Sequence, residues 1–186
     1  MIKKRRAESI FRALMCAVAV AVAQVGWTAA AQSAEPKTVA DFLLLVPERY
    51  MGGYDLRFRQ EMLRGERRGV VVDTRNGYIS YDASDNPSGF EFAVFRKSNG
   101  KYLVAFSNGA FHDPEFGNLP TLFLLSYEGG RWRDVTRALL PAGFDNKSAY
   151  MLPRRGRSIG VLDERGRFHT LTWRNDRFHR ARRGRR

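Results

Sequence analysis

A chain of 186 residues, 44% apolar and 27% charged, is long enough to be held together by a single hydrophobic core. Its formal net charge of +13 and pI near 10.5 resemble those of a nucleic-acid binder. It has one cysteine, Cys16, which excludes an internal disulfide.

The first residues form a basic opening (Lys3, Lys4, Arg5, Arg6), then an uncharged apolar run from Ala13 to Ala23, then small residues around Ala29 to Ala34. This layout predicts a secretory signal peptide, residues 1–31, with cleavage after Ala31 because Ala29 and Ala31 satisfy the small-residue rule. The apolar run is 11 residues, against the roughly 20 needed to cross a hydrocarbon core. A twin-arginine signal is disfavoured because Ala7, Glu8 and Ser9 follow the arginine pair, and a lipoprotein site because Met15 precedes Cys16. Removal of residues 1–31 takes away five basic residues, one acidic residue and the cysteine, and lowers the charge to +9. That loss also excludes a cysteine nucleophile, a thiolate metal site and a dithiol redox pair from the processed chain. Five of the nine remaining charges lie in Arg180 to Arg186, so the sequence between the two ends carries only +4.

Residues 32–37 read as a linker, and 38–180 as one globular domain, helical over 38–65 and a β-meander over 70–180, with a basic disordered tail at 181–186. Thr38 and Asp41 form a capping box before "FLLLV". Pro47 opens a short turn, "PERYMGG", and Asp55 caps a helix whose apolar positions are Leu56, Met62 and Leu63, ending at Gly65.

From Val70 the period becomes strand-like. Eight aromatic and β-branched runs, "GYISYD", "GFEFAVFRK", "GKYLVAFSN", "TLFLLSYE", "GRWRDVT", "SIGVLDE", "GRFHTLTWR" and "RFHR", are separated by Gly, Asn and Asp. A basic residue and then an aromatic follow the turn at Lys101-Tyr102, Arg131-Trp132, Arg167-Phe168 and Arg177-Phe178. Alternation predicts the charge in water and each ring on the packed face. The unit has no constant spacing, so it is a hairpin device and not a fixed-period repeat. Strands near 90–96 and 121–127 are apolar on both alternating faces, so each must be covered twice, by a second sheet or by the helices. The expected fold is mainly β: two or three short N-terminal helices, then an antiparallel meander of about seven or eight strands forming a curved sheet, sandwich or partly open barrel.

Chemistry is sparsely marked. The loop 109–120 holds His112, Asp113 and Glu115, a histidine with two carboxylates that suits a general base or a divalent metal; the preferred reading is a surface loop turned by Asp113-Pro114. "DASDNPSGFE" (82–91) resembles a calcium loop but has Pro87 and Ala93 where glycine and a bidentate glutamate are needed, so it reads as a hairpin connection. His169 alternates with Leu171 and Trp173 and is expected half-buried and hydrogen-bonded. No serine has a nucleophile-elbow context. The basic clusters 64–69, 153–157 and the tail could track phosphates, with Arg154, Arg155, Arg157, Arg180, Arg182 and Arg183 as the anion-binding candidates; the competing reading is a solvated rim that blunts strand edges.

The sequence therefore predicts an exported, periplasmic or extracellular, non-enzymatic binding or accessory domain without a cofactor or metal. Its partner would be an anionic envelope component or another exported protein. Nucleic acid is disfavoured by export, and no transmembrane span is expected in the processed chain. The alternatives are a hydrolase using His112 with Asp113 or Glu115, and a binder of anionic envelope polymer or lipid through the basic clusters.

Overall fold

The computed structural model describes residues 35–82, 89–108, 121–146, 148–163 and 165–181. The chain divides into two compact units, Met1–Glu35 and Pro36–Arg186, and every element below belongs to the second. The expected signal peptide, 1–31, lies outside the described residues, as do His112, Asp113, Glu115, Arg182 and Arg183.

Helix α1 (Val39–Leu45) begins at the capping box read from sequence. The Asp41 backbone N–H donates to Thr38 Oγ1, while the N–H groups of Thr38 and Lys37 donate to the Asp41 carboxylate, holding its pKa below the ordinary value. A single 3-10 turn (Glu48–Tyr50) follows Pro47, and α2 (Leu56–Leu63) starts at Asp55, whose side chain accepts from the Phe58 N–H at 2.7 Å. The inward face of α2 differs from expectation. Leu56 is 42% exposed, whereas Arg59 is 2% exposed beside Met62. The cause lies in α1, whose last carbonyls have no helical donor. Arg59 Nη1 donates to the carbonyls of Leu43 and Val46, each at 2.7 Å, and its Nε donates to the Asp55 carbonyl.

The strands are β1 (Val70–Asp73), β2 (Tyr78–Asp82), β3 (Gly89–Arg96), β4 (Tyr102–Ser107), β5 (Leu122–Glu128), β6 (Arg131–Asp134), β7 (Ala149–Met151), β8 (Ser158–Leu162), β9 (Phe168–Arg174) and β10 (Arg177–Arg180). A one-turn helix, α3 (Thr136–Leu139), follows β6. The fold is mainly β, as expected, in two antiparallel sheets: a six-stranded meander β1-β2-β3-β4-β5-β6 and a four-stranded one ordered β10-β9-β8-β7. No closed barrel forms among the described strands. The two strands beyond the expected eight are β1, with four residues, and β7, with three.

The double coverage demanded by β3 and β5 is met by both candidate layers. Phe90, Phe92, Val104, Phe106 and Leu125 pack with Phe42, Leu43 and Met62 of the helices. Ala93, Phe95, Leu103, Ala105, Leu122 and Leu124 share a second core with Tyr150, Ile159, Val161, Leu171, Trp173 and Phe178 of the small sheet. Rings organise each core: Phe42 meets the edges of Tyr102, Tyr127 and Trp132, and Phe95 lies 5.8 Å from Trp173 and 5.5 Å from Phe178.

Polar contacts join the two sheets at their margins. Glu91, on the small-sheet face of β3, accepts from the Tyr78 hydroxyl at 2.8 Å and from the Leu152 N–H at 2.5 Å. Ser107 Oγ donates to the Tyr150 carbonyl at 2.8 Å. At the other margin, the β9–β10 turn places Asn175 at φ 50° and Asp176 at φ 57°, the left-handed pair that a two-residue hairpin requires. The Asp176 carboxylate accepts from both the backbone N–H and the hydroxyl of Ser98, in the β3–β4 turn.

Replacing Arg59 by methionine keeps bulk but leaves the Leu43 and Val46 carbonyls without a donor. Urea unfolding of R59M should show a loss of about 2 to 4 kcal/mol, in line with two buried unsatisfied acceptors. An unchanged midpoint would rule out the cap as a stabilising element.

Candidate functional site

Among the described candidates, the structure first settles what is occupied. Asp82 pairs with Gly89 in the β2–β3 ladder, and Ala93 is buried opposite Tyr78, so the calcium-like stretch joins two hairpin strands as expected. His169 Nε2 lies 2.9 Å from Asp163 Oδ2, Arg180 Nη2 lies 3.1 Å from His169 Nδ1, and Phe144 stands edge-on at 5.4 Å. Since the arginine can only donate, Nδ1 accepts and Nε2–H donates to the carboxylate. Both ring nitrogens are engaged, which leaves none for a metal or a substrate proton. His169, followed by the Arg167 backbone N–H, holds the Asp163 carboxyl well below the usual carboxylate range. No group of three or more metal-ligating side chains occurs among the described residues, and no described helix is long and apolar enough to cross a membrane.

A second polar set surrounds the Glu91 seam. Burial pushes the Glu91 carboxyl up, against the opposing effect of its two hydrogen bonds, and pushes the Tyr78 hydroxyl up to about 12. Nearby, Asp73 accepts from the Asn76 amide and from Arg154 Nε, each at 2.9 Å, and these contacts lower its carboxyl to about 2. Each donor and acceptor serves an element junction: Glu91 holds the β7–β8 connection at Leu152, and Arg154 ties that connection to β1.

The basic clusters fare differently from one another. In residues 64–69, Arg64 pairs with Glu66, and Arg67 joins Arg57 on Glu61, while Arg68 is exposed and forms no ion pair among the described residues, so this cluster is partly paired. In 153–157, Arg154 turns to Asp73, while Arg155 and Arg157 are exposed and form no ion pair among the described residues. Arg180 serves His169 and lies over the Phe144 ring at 5.9 Å. Ala181, read from sequence as the first tail residue, still donates its N–H to the Thr170 carbonyl at 2.9 Å and so remains on the sheet edge. Of the six arginine candidates, Arg154 and Arg180 are thus held by different partners, Asp73 and His169, and Arg182 and Arg183 lie outside the described residues.

What the fold does gather is charge by layer. Residues 32–148 contain fifteen lysines and arginines against fifteen aspartates and glutamates, whereas residues 149–186, which supply the four-stranded sheet and the tail, contain twelve arginines against three carboxylates. All of the +9 after residue 31 thus belongs to the C-terminal segment. Two of its three carboxylates, Asp163 and Asp176, are held by partners at strand turns.

The inner face of this sheet is core, and its outer face is open. Along β9 the outward positions are Phe168, Thr170, Thr172 and Arg174; β10 adds Arg177 and His179, and β8 adds Ser158, Gly160 and Leu162. Phe168 departs from the ring-inward expectation for the turn-basic-aromatic unit: it is 58% exposed, whereas Phe178 is buried and Tyr102 and Trp132 pack on the helix side. The register decides this, since Leu171 and Trp173 face inward, and Phe168, an odd number of residues from each, must face outward. Gly160 lies beneath it, and a Cβ there would meet Met151 at 3.0 Å and the Phe168 ring at 3.1 Å. At the other end of the face, a cleft of about 450 Å³ is lined by Thr172, Arg174, His179, Arg180 and Ala181. His179 Nε2 is buried there without a hydrogen-bond partner among the described residues. A larger cleft, about 780 Å³, lies beside α3 and includes Arg133, Arg137, Phe144 and Asp145.

Asp73 generates a pH prediction. Its folded pKa is depressed, so its contribution is present above the unfolded value near 4 and is lost as pH falls toward about 2. Arg154→Ala removes the second of its two main stabilising contacts. The urea midpoints of wild type and R154A should differ at neutral pH and converge as pH falls through that window. A gap that persists below it would mean that Arg154 acts through something other than the Asp73 carboxylate.

No family model matches the sequence, and no curated protein does. Among solved structures, the chain is similar to a domain of an uncharacterized protein from Porphyromonas gingivalis, with a TM-score of 0.53 and 11% identity over 78% of this chain and 98% of that one. At that identity the likeness is one of fold alone.

Proposed function

We propose that the protein is exported and serves as a non-enzymatic binding domain whose four-stranded sheet takes an anionic partner of the cell envelope. The observation that carries this reading is the segregation of charge: the helices and six-stranded sheet are built from a neutral stretch, and the small sheet and tail from one with fourfold more arginines than carboxylates. An electrostatic partner is recognised by such a field, with an affinity that depends on salt.

Two sheets that share a core support the sandwich form over the partly open barrel, and a sandwich leaves the outer face of the small sheet free for binding. The basic opening, apolar run and Ala29/Ala31 pair support export, which in turn disfavours genomic nucleic acid as the partner. The hydrolase alternative rests on His112, Asp113 and Glu115, none of which is among the described residues. The described histidine with an adjacent carboxylate, His169, has both nitrogens committed.

Two measurements test the reading. Protein recovered from outside the cytoplasm should begin at Gln32 by intact mass; a chain still carrying Met1 would contradict export through a cleaved signal. The affinity of that protein for heparin, a soluble polyanion, should fall linearly with the logarithm of salt concentration, and deletion of residues 182–186 should make the slope shallower. Binding that ignores salt would count against an electrostatic partner.

A further inference from the structure

The outer face of the four-stranded sheet carries apolar side chains that an electrostatic partner alone does not explain. Phe168, Leu162 and Met151 are 58%, 40% and 38% exposed, and among the described residues the other exposed large apolar side chains, Leu45, Leu56 and Val72, lie on other elements. The first three are neighbours. Leu162 is the cross-strand partner of Phe168, Met151 pairs with Gly160, and the missing side chain of Gly160 lets the Met151 methyl and the Phe168 ring close over the same point.

This apolar end is continuous with polar and cationic positions. Outward residues recur about every 7 Å along a strand, so β9 presents Phe168, then the hydroxyls of Thr170 and Thr172, then Arg174, with Arg177 directly across from Arg174 on β10. Arg165 and Arg167 flank the other end, in the turn that precedes Phe168, and both are exposed. Arginines thus stand at both ends of a face with uncovered apolar side chains between them.

Resting on the anionic-partner reading, we propose that this face docks on an anionic lipid bilayer, with Phe168, Leu162 and Met151 entering the interfacial region and Arg165, Arg174 and Arg177 meeting headgroup phosphates. A bilayer interface is the partner that offers negative charge and an apolar boundary in one plane. A dissolved polyanion would satisfy the arginines and leave the three apolar side chains in water. A second copy of the chain would set one arginine-rich face against another, and like charges would oppose that contact. The 450 Å³ cleft gives one phosphate a place at the end of this face, where Arg174 supplies charge, and Thr172 and the unpartnered His179 Nε2 supply polar contacts.

The test is co-sedimentation of the purified protein, in the form recovered from cells, with phosphatidylcholine vesicles with and without phosphatidylglycerol. Phe168→Ser, Leu162→Ser and the pair Arg174→Gln/Arg177→Gln are compared, with heparin affinity measured alongside. All of these positions are exposed, and unchanged circular dichroism and urea midpoints establish that the variants fold. Wild type should bind the phosphatidylglycerol vesicles and not the pure phosphatidylcholine ones. F168S should weaken vesicle binding roughly tenfold while leaving heparin affinity unchanged. Each arginine removed should weaken both roughly fivefold. If F168S and L162S bind vesicles as wild type does, or if heparin binds and vesicles do not, bilayer docking is overturned while the anionic-partner reading stands. If neither binds, both fall.

Discussion

The constraint on which the rest of the structure depends is the two-sided apolar character of β3, β4 and β5. A sheet with a single packed face alternates apolar and polar residues, but here Phe90, Phe92 and Val104 point one way while Ala93, Phe95 and Leu103 point the other. Neither face can be left in water. The helices cover one and the four-stranded sheet the other, and the three layers follow from that requirement more than from any local propensity. The short helices match this role: α1 and α2 have seven and eight residues, well below the length at which an isolated helix persists, and their stability comes from Phe42, Leu43 and Met62 in the core.

Once the inner sheet is covered, the layers that cover it acquire outer faces of their own, and the polar chemistry is distributed accordingly. Glu91, Ser107, Asp73 and Asp176 spend their hydrogen-bonding capacity at junctions between layers or turns. Arg59 does the same within the helical layer, where its guanidinium completes the end of α1. These groups hold the architecture together. The four-stranded sheet is different: its inner residues are core, but its outer residues meet no further layer among the described residues. Charge that is balanced over residues 32–148 is unbalanced there, and the exposed ring of Phe168 sits within that field.

The amount legible in the sequence varies with the range of the interaction. Thr38 with Asp41 and the Asp55 cap were readable because a cap is satisfied within three residues. The strand runs and their turns were readable for the same reason, and so was the need for a cover on both sides of β3 and β5. The short strands β1 and β7 were not, and they are fixed by the partners they pair with. Arg59 is not among the apolar positions read for α2, and nothing local announces that the carbonyls of Leu43 and Val46 need it. Phe168 fitted a recurrent turn-basic-aromatic unit, yet the inward registration of Leu171 and Trp173 turned it outward. Of the candidate site, the arginines are visible individually, but the placement of Arg174 beside Arg177 on the outer face of one sheet is not, because it is fixed by the pairing of β9 with β10.

The sequence by itself determined the mainly β class, the caps, the hairpin turns, the two-faced core strands and the absence of a cysteine after Cys16. These depend on residue type and on spacings shorter than one element. Only the tertiary structure decided that two sheets form, that Arg59 is buried and Leu56 is not, that His169 is locked by Asp163 and Arg180, and that an arginine-rich face with an exposed Phe168 stands uncovered. Those outcomes turn on which distant segment supplies the missing donor, the covering layer or the neighbouring strand, and burial and hydrogen-bond satisfaction are properties of the assembled chain.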